Sequence, residues 1–143
     1  MEASSRNPAV TRIVVVDDSK LFQQSLARLL ATVRGIAIVG FAEDVASACK
    51  LIDELVPGIV VLDVELRGGD QGIDVLRHVA REHPAIQVLV LSNMIWSALH
   101  RSYLHAGAVA CFDKSMEFEQ ARQWIASCAQ RAADPGGTHA TAM

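Results

Sequence analysis

The stretch Ile13-Val14-Val15-Val16-Asp17-Asp18-Ser19 decides how the rest of the chain reads. Four consecutive β-branched residues leave no polar face, which is the pattern of a strand buried on both sides in a parallel sheet. The acids follow at once, and Ser19 is placed as the N-cap of a helix. The same order recurs downstream. Short apolar runs stand at Ile36-Ala37-Ile38-Val39, Ile59-Val60-Val61-Leu62, Val88-Leu89-Val90-Leu91 and, more weakly, over residues 108–112.

Each run is followed by a segment of helical period. The first helix carries an apolar stripe at Phe22, Leu26, Leu29, Leu30 and Val33, with Gly35 as its stop. The second starts near Asp44, carries Ala48, Leu51, Ile52 and Leu55, and ends before Pro57-Gly58. The third carries Val75, Leu76, Val79 and Ala80 and stops at His83-Pro84. The fourth runs over about residues 95–106, and the last follows Ser115 with Phe118, Ala121, Trp124, Ile125 and Cys128 inward. Five βα units predict a doubly wound three-layer α/β sandwich around a five-stranded parallel sheet.

Composition agrees with one such domain. The 143 residues are 51% hydrophobic and 20% charged, enough for a sizeable core. A net charge of −3, with a pI near 5.9, argues against direct nucleic-acid binding. No apolar run reaches the roughly 18 residues of a membrane span. The three cysteines, Cys49, Cys111 and Cys128, are widely spaced without a CxxC, so neither a disulfide framework nor a zinc site is expected and a reducing cytoplasm fits. Cys49 and Cys128 fall on apolar stripes and read as inert core residues. Residues 1–10 and 134–143 read as flexible ends around a domain at 11–133.

Ligands of open α/β sheets sit beyond the carboxyl ends of the strands. Strand 1 ends in Asp17-Asp18, strand 3 in Asp63, strand 4 in Ser92 and strand 5 in Asp113-Lys114, while strand 2 ends less informatively at Phe41-Ala42-Glu43. Carboxylates, a hydroxyl and an ammonium thus converge on one rim. Oxygen ligands suit Mg²⁺, and a metal with one Lys suits the charge of a phosphoryl group. A lone strand-end Asp is often only a helix cap; the joint pattern is harder to reach by chance. Gly68-Gly69-Asp70-Gln71-Gly72 lacks GxGxxG spacing and reads as a flexible turn, not a phosphate cradle. His78, His83, His100, His105 and His139 show no metal spacing and read as surface histidines.

These residues carry a resemblance. Val15-Val16-Asp17-Asp18-Ser19, Leu62-Asp63, Leu91-Ser92-Asn93, Ala106-Gly107-Ala108 and Phe112-Asp113-Lys114-Ser115 are similar to the motifs of bacterial response-regulator receiver domains, over residues 11–132. The resemblance implies a flavodoxin-like strand order of 2-1-3-4-5. It makes Asp63 the phospho-acceptor, supplied by the phosphohistidine of a sensor histidine kinase or phosphotransfer protein. It gives Mg²⁺ to Asp17, Asp18, Asp63 and the main-chain carbonyl of Glu65, with Ser92 and Lys114 binding the phosphoryl group. Glu65 as a plain solvated loop acid stands as the alternative. Asn93, bulkier than the residue often found there, either narrows donor access or caps the fourth helix.

Two positions depart from the family. Cys111 stands where an aromatic switch residue is usual, and Ser115 where Pro often follows the Lys, so Lys114–Ser115 is expected to be trans. On the fourth helix, Ile95, Leu99 and Ala106 can face the sheet, which puts Trp96, His100 and Tyr103 on an adjoining stripe. That stripe reads either as a partner or homodimer surface or as the edge of the core. The expectation is a stand-alone signalling receiver, not an enzyme, that acts on a downstream protein. A small phosphohydrolase resembling the haloacid-dehalogenase group fits less well, because its nucleophile usually ends the first strand. A non-phosphorylated adaptor is the third reading.

Overall fold

The computed structural model describes residues 10–93 and 97–133. Five strands, β1 (Thr11–Val16), β2 (Ile36–Ala42), β3 (Ile59–Leu62), β4 (Gln87–Ser92) and β5 (Ala110–Asp113), alternate with helices α1 (Lys20–Leu30), α2 (Val45–Leu55), α3 (Gly72–Glu82), α4 (Ser97–His105) and α5 (Phe118–Ala133). All strand pairs are parallel, and the order is β2-β1-β3-β4-β5. That is the doubly wound, flavodoxin-like receiver architecture.

Period-two alternation along the strands divides the core between the two sheet faces. Val14, Val16, Val60, Leu62, Val88 and Val90 pack with Ala48 and Ile52 of α2, Val75, Leu76 and Val79 of α3, and Tyr103 of α4. Ile13, Val15, Ile59, Val61, Leu89 and Leu91 point the other way, against Leu26 and Leu30 of α1 and Ala121, Ile125 and Cys128 of α5. The central strands β1 and β3 carry apolar runs because neither face meets water.

Several boundaries differ from the sequence reading. β2 continues through Gly40 and Phe41 to Ala42, with a bulge where Ile13 pairs Ile38 and Val14 pairs Gly40. A Cβ at Gly40 would lie 2.8 Å from Leu51 Cδ2, so a larger residue there would need the Leu51 side chain to turn aside. The first helix stops at Leu30, where the Ala31 and Thr32 amides close its last turn, so Val33 and Gly35 belong to the connection. β5 starts at Ala110, later than expected, because the Ala108 amide closes the end of α4 on the Tyr103 carbonyl at 3.0 Å. Ala80, placed on the inward stripe of the third helix, is exposed. Among the described residues no helix is long and apolar enough to cross a membrane.

Candidate functional site

The strand order reverses direction between β1 and β3, and that switch point fixes the site. Val16 and Leu62 are register partners, so Asp17 and Asp63 leave the sheet side by side. The Asp63 amide still donates to Val16 O at 2.9 Å, and the Asp17 amide to Ala42 O at 2.9 Å. Oxygens of Asp17, Asp18 and Asp63 all lie within 4.8 Å of one another. On the far side Ser92 and Asp113 are register partners, and the Lys114 amide donates to Ser92 O at 3.0 Å. Ser92 is buried.

Lys114 reaches back across this rim. Its Nζ sits 2.7 Å from Asp17 Oδ2 and 3.1 Å from Asp63 Oδ2, and 4.1 Å from the centroid of the Phe22 ring. The side chain is only 9% exposed, so its charge is poorly screened by water. Phe22 packs in turn on Phe118, with ring centroids 5.7 Å apart. An aromatic face under an ammonium is itself attractive, so α1 and α5 together hold the lysine head over the carboxylates.

Backbone contacts fix the acids. Asp17 Oδ1 accepts from the Ser19 amide at 2.9 Å, and its carbonyl accepts from Nε2 of the buried Gln23 at 2.6 Å. Ser19 Oγ caps α1 by accepting from the Phe22 amide at 3.1 Å. Asp63 Oδ1 accepts from the Val64 amide at 2.7 Å. Burial pushes the Asp17 carboxyl above its ordinary range and the neighbouring Asp63 adds to this, while Lys114 and Ser19 pull it down. One ammonium faces three carboxylates, so the cluster keeps a negative excess concentrated in converging hard oxygens. The donor set fits a divalent cation.

The loop after β3 is tied down rather than loose. Gly72 opens α3 so close to β3 that a Cβ there would lie 2.2 Å from the Asp63 carbonyl oxygen. Asp70 Oδ2 ties this loop to the start of α2 by accepting from the Val45 amide at 2.9 Å. Arg67 pairs with the nearly buried Glu43, which also holds Lys20 at 2.6 Å. Gly68 and Gly69, at φ 72° and 82°, form the turn with open space around them, as the reading of this segment as a turn required. Glu65 is exposed and makes an isolated antiparallel bridge with Gln71. Asn93 is exposed.

The remaining expectations divide. Lys114–Ser115 is trans, since no cis bond occurs among the described residues. Cys111 is buried, and its thiol is pushed up to about 11; burial raises the Cys128 thiol as well, while Cys49 is only half-buried. Of the stripe read on α4, Tyr103 and His100 lie among the described residues. Tyr103 is 3% exposed within the core of the α2–α3–α4 layer, its hydroxyl pushed up to about 12 by burial, so for Tyr103 the core reading is correct. Leu99 and Ala106 flank that core as expected, His100 is half-buried, and Ile95 and Trp96 lie outside the described residues. Phe22, Gln23, Glu43 and Gly72 were missed as site residues. Their signal lies in contacts across elements, which linear spacing does not carry.

An open parallel sheet with an acidic, lysine-bridged crevice at its switch point defines the receiver class of flavodoxin-like folds. Residues 13–126 match the family model of the response regulator receiver domain, and the chain belongs to that family of two-component signalling domains. Response regulator GacA of Pseudomonas aeruginosa is 31% identical over 80% of this chain and 53% of its own length. Protein-glutamate methylesterase/protein-glutamine glutaminase 5 of Myxococcus xanthus is 36% identical over 72% of this chain and 30% of its own. The chain thus spans about half or less of the curated relatives it matches. Among solved structures, a LuxR-family two-component response regulator from Aurantimonas superposes with a TM-score of 0.78 at 30% identity, covering 85% of this chain and 86% of that one. The response regulator domain of Thermotoga maritima CheB gives 0.74 at 26% identity, covering 87% and 97%.

Proposed function

We propose that this chain is a phospho-accepting receiver with Asp63 as the acceptor, fed by a sensor histidine kinase or phosphotransfer protein and acting through contact with a downstream protein. The observation that carries this reading is Lys114 Nζ placed between Asp63 Oδ2 and Asp17 Oδ2 at the switch point. An Asp63 oxygen attacks phosphorus, the phosphorus–nitrogen bond of the donor phosphohistidine breaks, and the imidazole leaves with the electron pair. Lys114 is positioned to exchange its Asp63 contact for a phosphoryl oxygen, and Ser92 stands on the next strand for another. Asp17, Asp18, Asp63 and the main-chain carbonyl of Glu65 are the proposed Mg²⁺ ligands; bound there, the ion supplies charge neutralisation for the incoming phosphoryl oxygens. A cytoplasmic, non-enzymatic switch is the accompanying proposal.

Acetyl phosphate with Mg²⁺ tests it. Intact mass should rise by one phosphoryl group that hydroxylamine removes, and Asp63→Asn should abolish the gain. Equal labelling of the Asp63→Asn protein overturns the assignment. Continuous turnover of the donor without a labelled intermediate favours a hydrolase, and no labelling at all favours an adaptor.

A further inference from the structure

A second convergence of ligating side chains lies on the outside of the α2–α3 pair. Asp53 is in the last turn of α2, His78 is on α3 and His83 is the C-cap residue of α3. His78 Nε2 is 2.8 Å and His83 Nε2 2.7 Å from the same oxygen, Asp53 Oδ1. The imidazole centroids are 6.1 Å apart with the rings at 61°. Two nitrogens and one carboxylate oxygen therefore aim at one point, all within 4.8 Å of one another.

We propose that Asp53, His78 and His83 form a transition-metal site, of the kind zinc occupies, separate from the carboxylate crevice. Mixed imidazole and carboxylate donors are borderline rather than hard, so they select Zn²⁺, Ni²⁺ or Co²⁺ over Mg²⁺. Zinc bonds of about 2.0–2.2 Å in a tetrahedron set ligand atoms about 3.3 Å apart, so each imidazole nitrogen must swing out from its hydrogen bond to Asp53 Oδ1, now 2.8 and 2.7 Å, by roughly half an ångström to admit the ion. Three protein ligands leave a fourth position for water. The side chains of His78, His83 and Asp53 are 18%, 19% and 49% exposed, so an ion can enter without opening the core. Backbone geometry holds the set in place: the His83 amide donates to Val79 O at 2.8 Å, and its carbonyl accepts from the Ile86 amide at 3.0 Å. With Asp53 ionised, each Nε2 carries the proton it donates, and metal uptake moves that proton to Nδ1 or releases it. The two imidazoles also hold the Asp53 carboxyl below its ordinary range, which keeps it an anionic ligand.

The site lies apart from the phosphoryl chemistry. Helices of a doubly wound sheet run back against their strands, so the ends of α2 and α3 stand at the rim opposite Asp17 and Asp63. An ion there would staple α2 to α3.

Titration calorimetry with Zn²⁺, in an excess of Mg²⁺ that occupies the carboxylate crevice, tests the proposal. One Zn²⁺ should bind, equally well in the Asp63→Asn protein, with shifts confined to the imidazole nitrogens of His78 and His83 in long-range ¹⁵N spectra. His78→Gln and His83→Gln should each weaken binding by more than the roughly 10–100-fold typical of losing a ligand's supporting hydrogen bond. Circular dichroism confirms that each variant is folded. Zinc uptake lost in Asp63→Asn but kept in His78→Gln overturns the proposal by assigning the ion to the crevice. Absence of uptake by the wild-type chain overturns it as well and leaves the cluster as an ion-pair joint.

Discussion

Lys114 carries a single positive charge into a site with three acids, and its removal separates charge from packing. Lys114→Met keeps the aliphatic stem over Phe22 while deleting the ammonium 2.7 Å from Asp17 and 3.1 Å from Asp63. Leaving two adjacent, largely buried carboxylates unpaired should cost about 2 kcal/mol of stability without metal, below the usual 3–5 for a fully buried pair because Asp63 is partly solvated. Mg²⁺ should then raise the melting temperature of Lys114→Met by more than it raises that of the wild type. An equal rise in both would show that the lysine does not balance the acids. Asp113 makes the opposite case. Its Oδ1 accepts from Ser115 Oγ at 2.7 Å, Met116 N at 2.9 Å and Ser115 N at 2.8 Å, which holds the carboxyl below the ordinary range of an aspartate. A depressed carboxylate stabilises the fold fully above its unfolded pKa and loses that contribution as pH falls through the folded one. The Ser115 and Met116 amide resonances should therefore titrate with a midpoint below that of an aspartate in an unfolded peptide; a midpoint at or above it contradicts the cap.

Among the elements, α3 opens directly against the backbone of the acceptor residue. Gly72→Ala places a methyl against the Asp63 carbonyl, 2.2 Å away if nothing moves. Because the obstacle is backbone, the helix must shift, at about 2 kcal/mol or more, and Asp63 should be phosphorylated more slowly. Gly68→Asn, in open space at a φ that Asn tolerates, serves as the control and should be near neutral. Wild-type labelling by Gly72→Ala would mean that the start of α3 does not position Asp63. The elements also show what a linear reading reaches. β1 and β3 were legible because four apolar residues in a row have no other place to go, and the acids directly after them followed. The apolar run of β2 reads short because Gly40 interrupts it; what keeps Gly40 in the strand is its pairing with Val14 of β1, which lies far off in sequence. Tyr103 reads as either surface or core edge because spacing along a helix fixes which residues share a stripe, but not which way the helix is turned. Phe22 reads as one more apolar stripe residue, since nothing local says that the lysine just after β5 will rest on it. The Asp53, His78 and His83 cluster spans two helices, so no spacing rule within one of them could find it.

Across the whole molecule, the two cores share the same strands. Ile52 fills the layer of α2, α3 and α4, and Ile125 the layer of α1 and α5, both at 0% exposure. Ile52→Ala and Ile125→Ala should each cost about 3 kcal/mol. Neighbouring residues of β1 and β3 face opposite layers, so both losses should lower one cooperative transition; two resolved transitions would show that the layers unfold separately. The register break in β2 bears on how copies of the chain meet in solution. β2 is an outer strand, and a straight row of unpaired amides and carbonyls along it would invite a second copy to add its own strand. The extra residue, Val39, bends and twists that row where Ile13 pairs Ile38 and Val14 pairs Gly40. A kinked rim of this kind is a poor template for strand addition, and it discourages aggregation at that edge without placing a charge there.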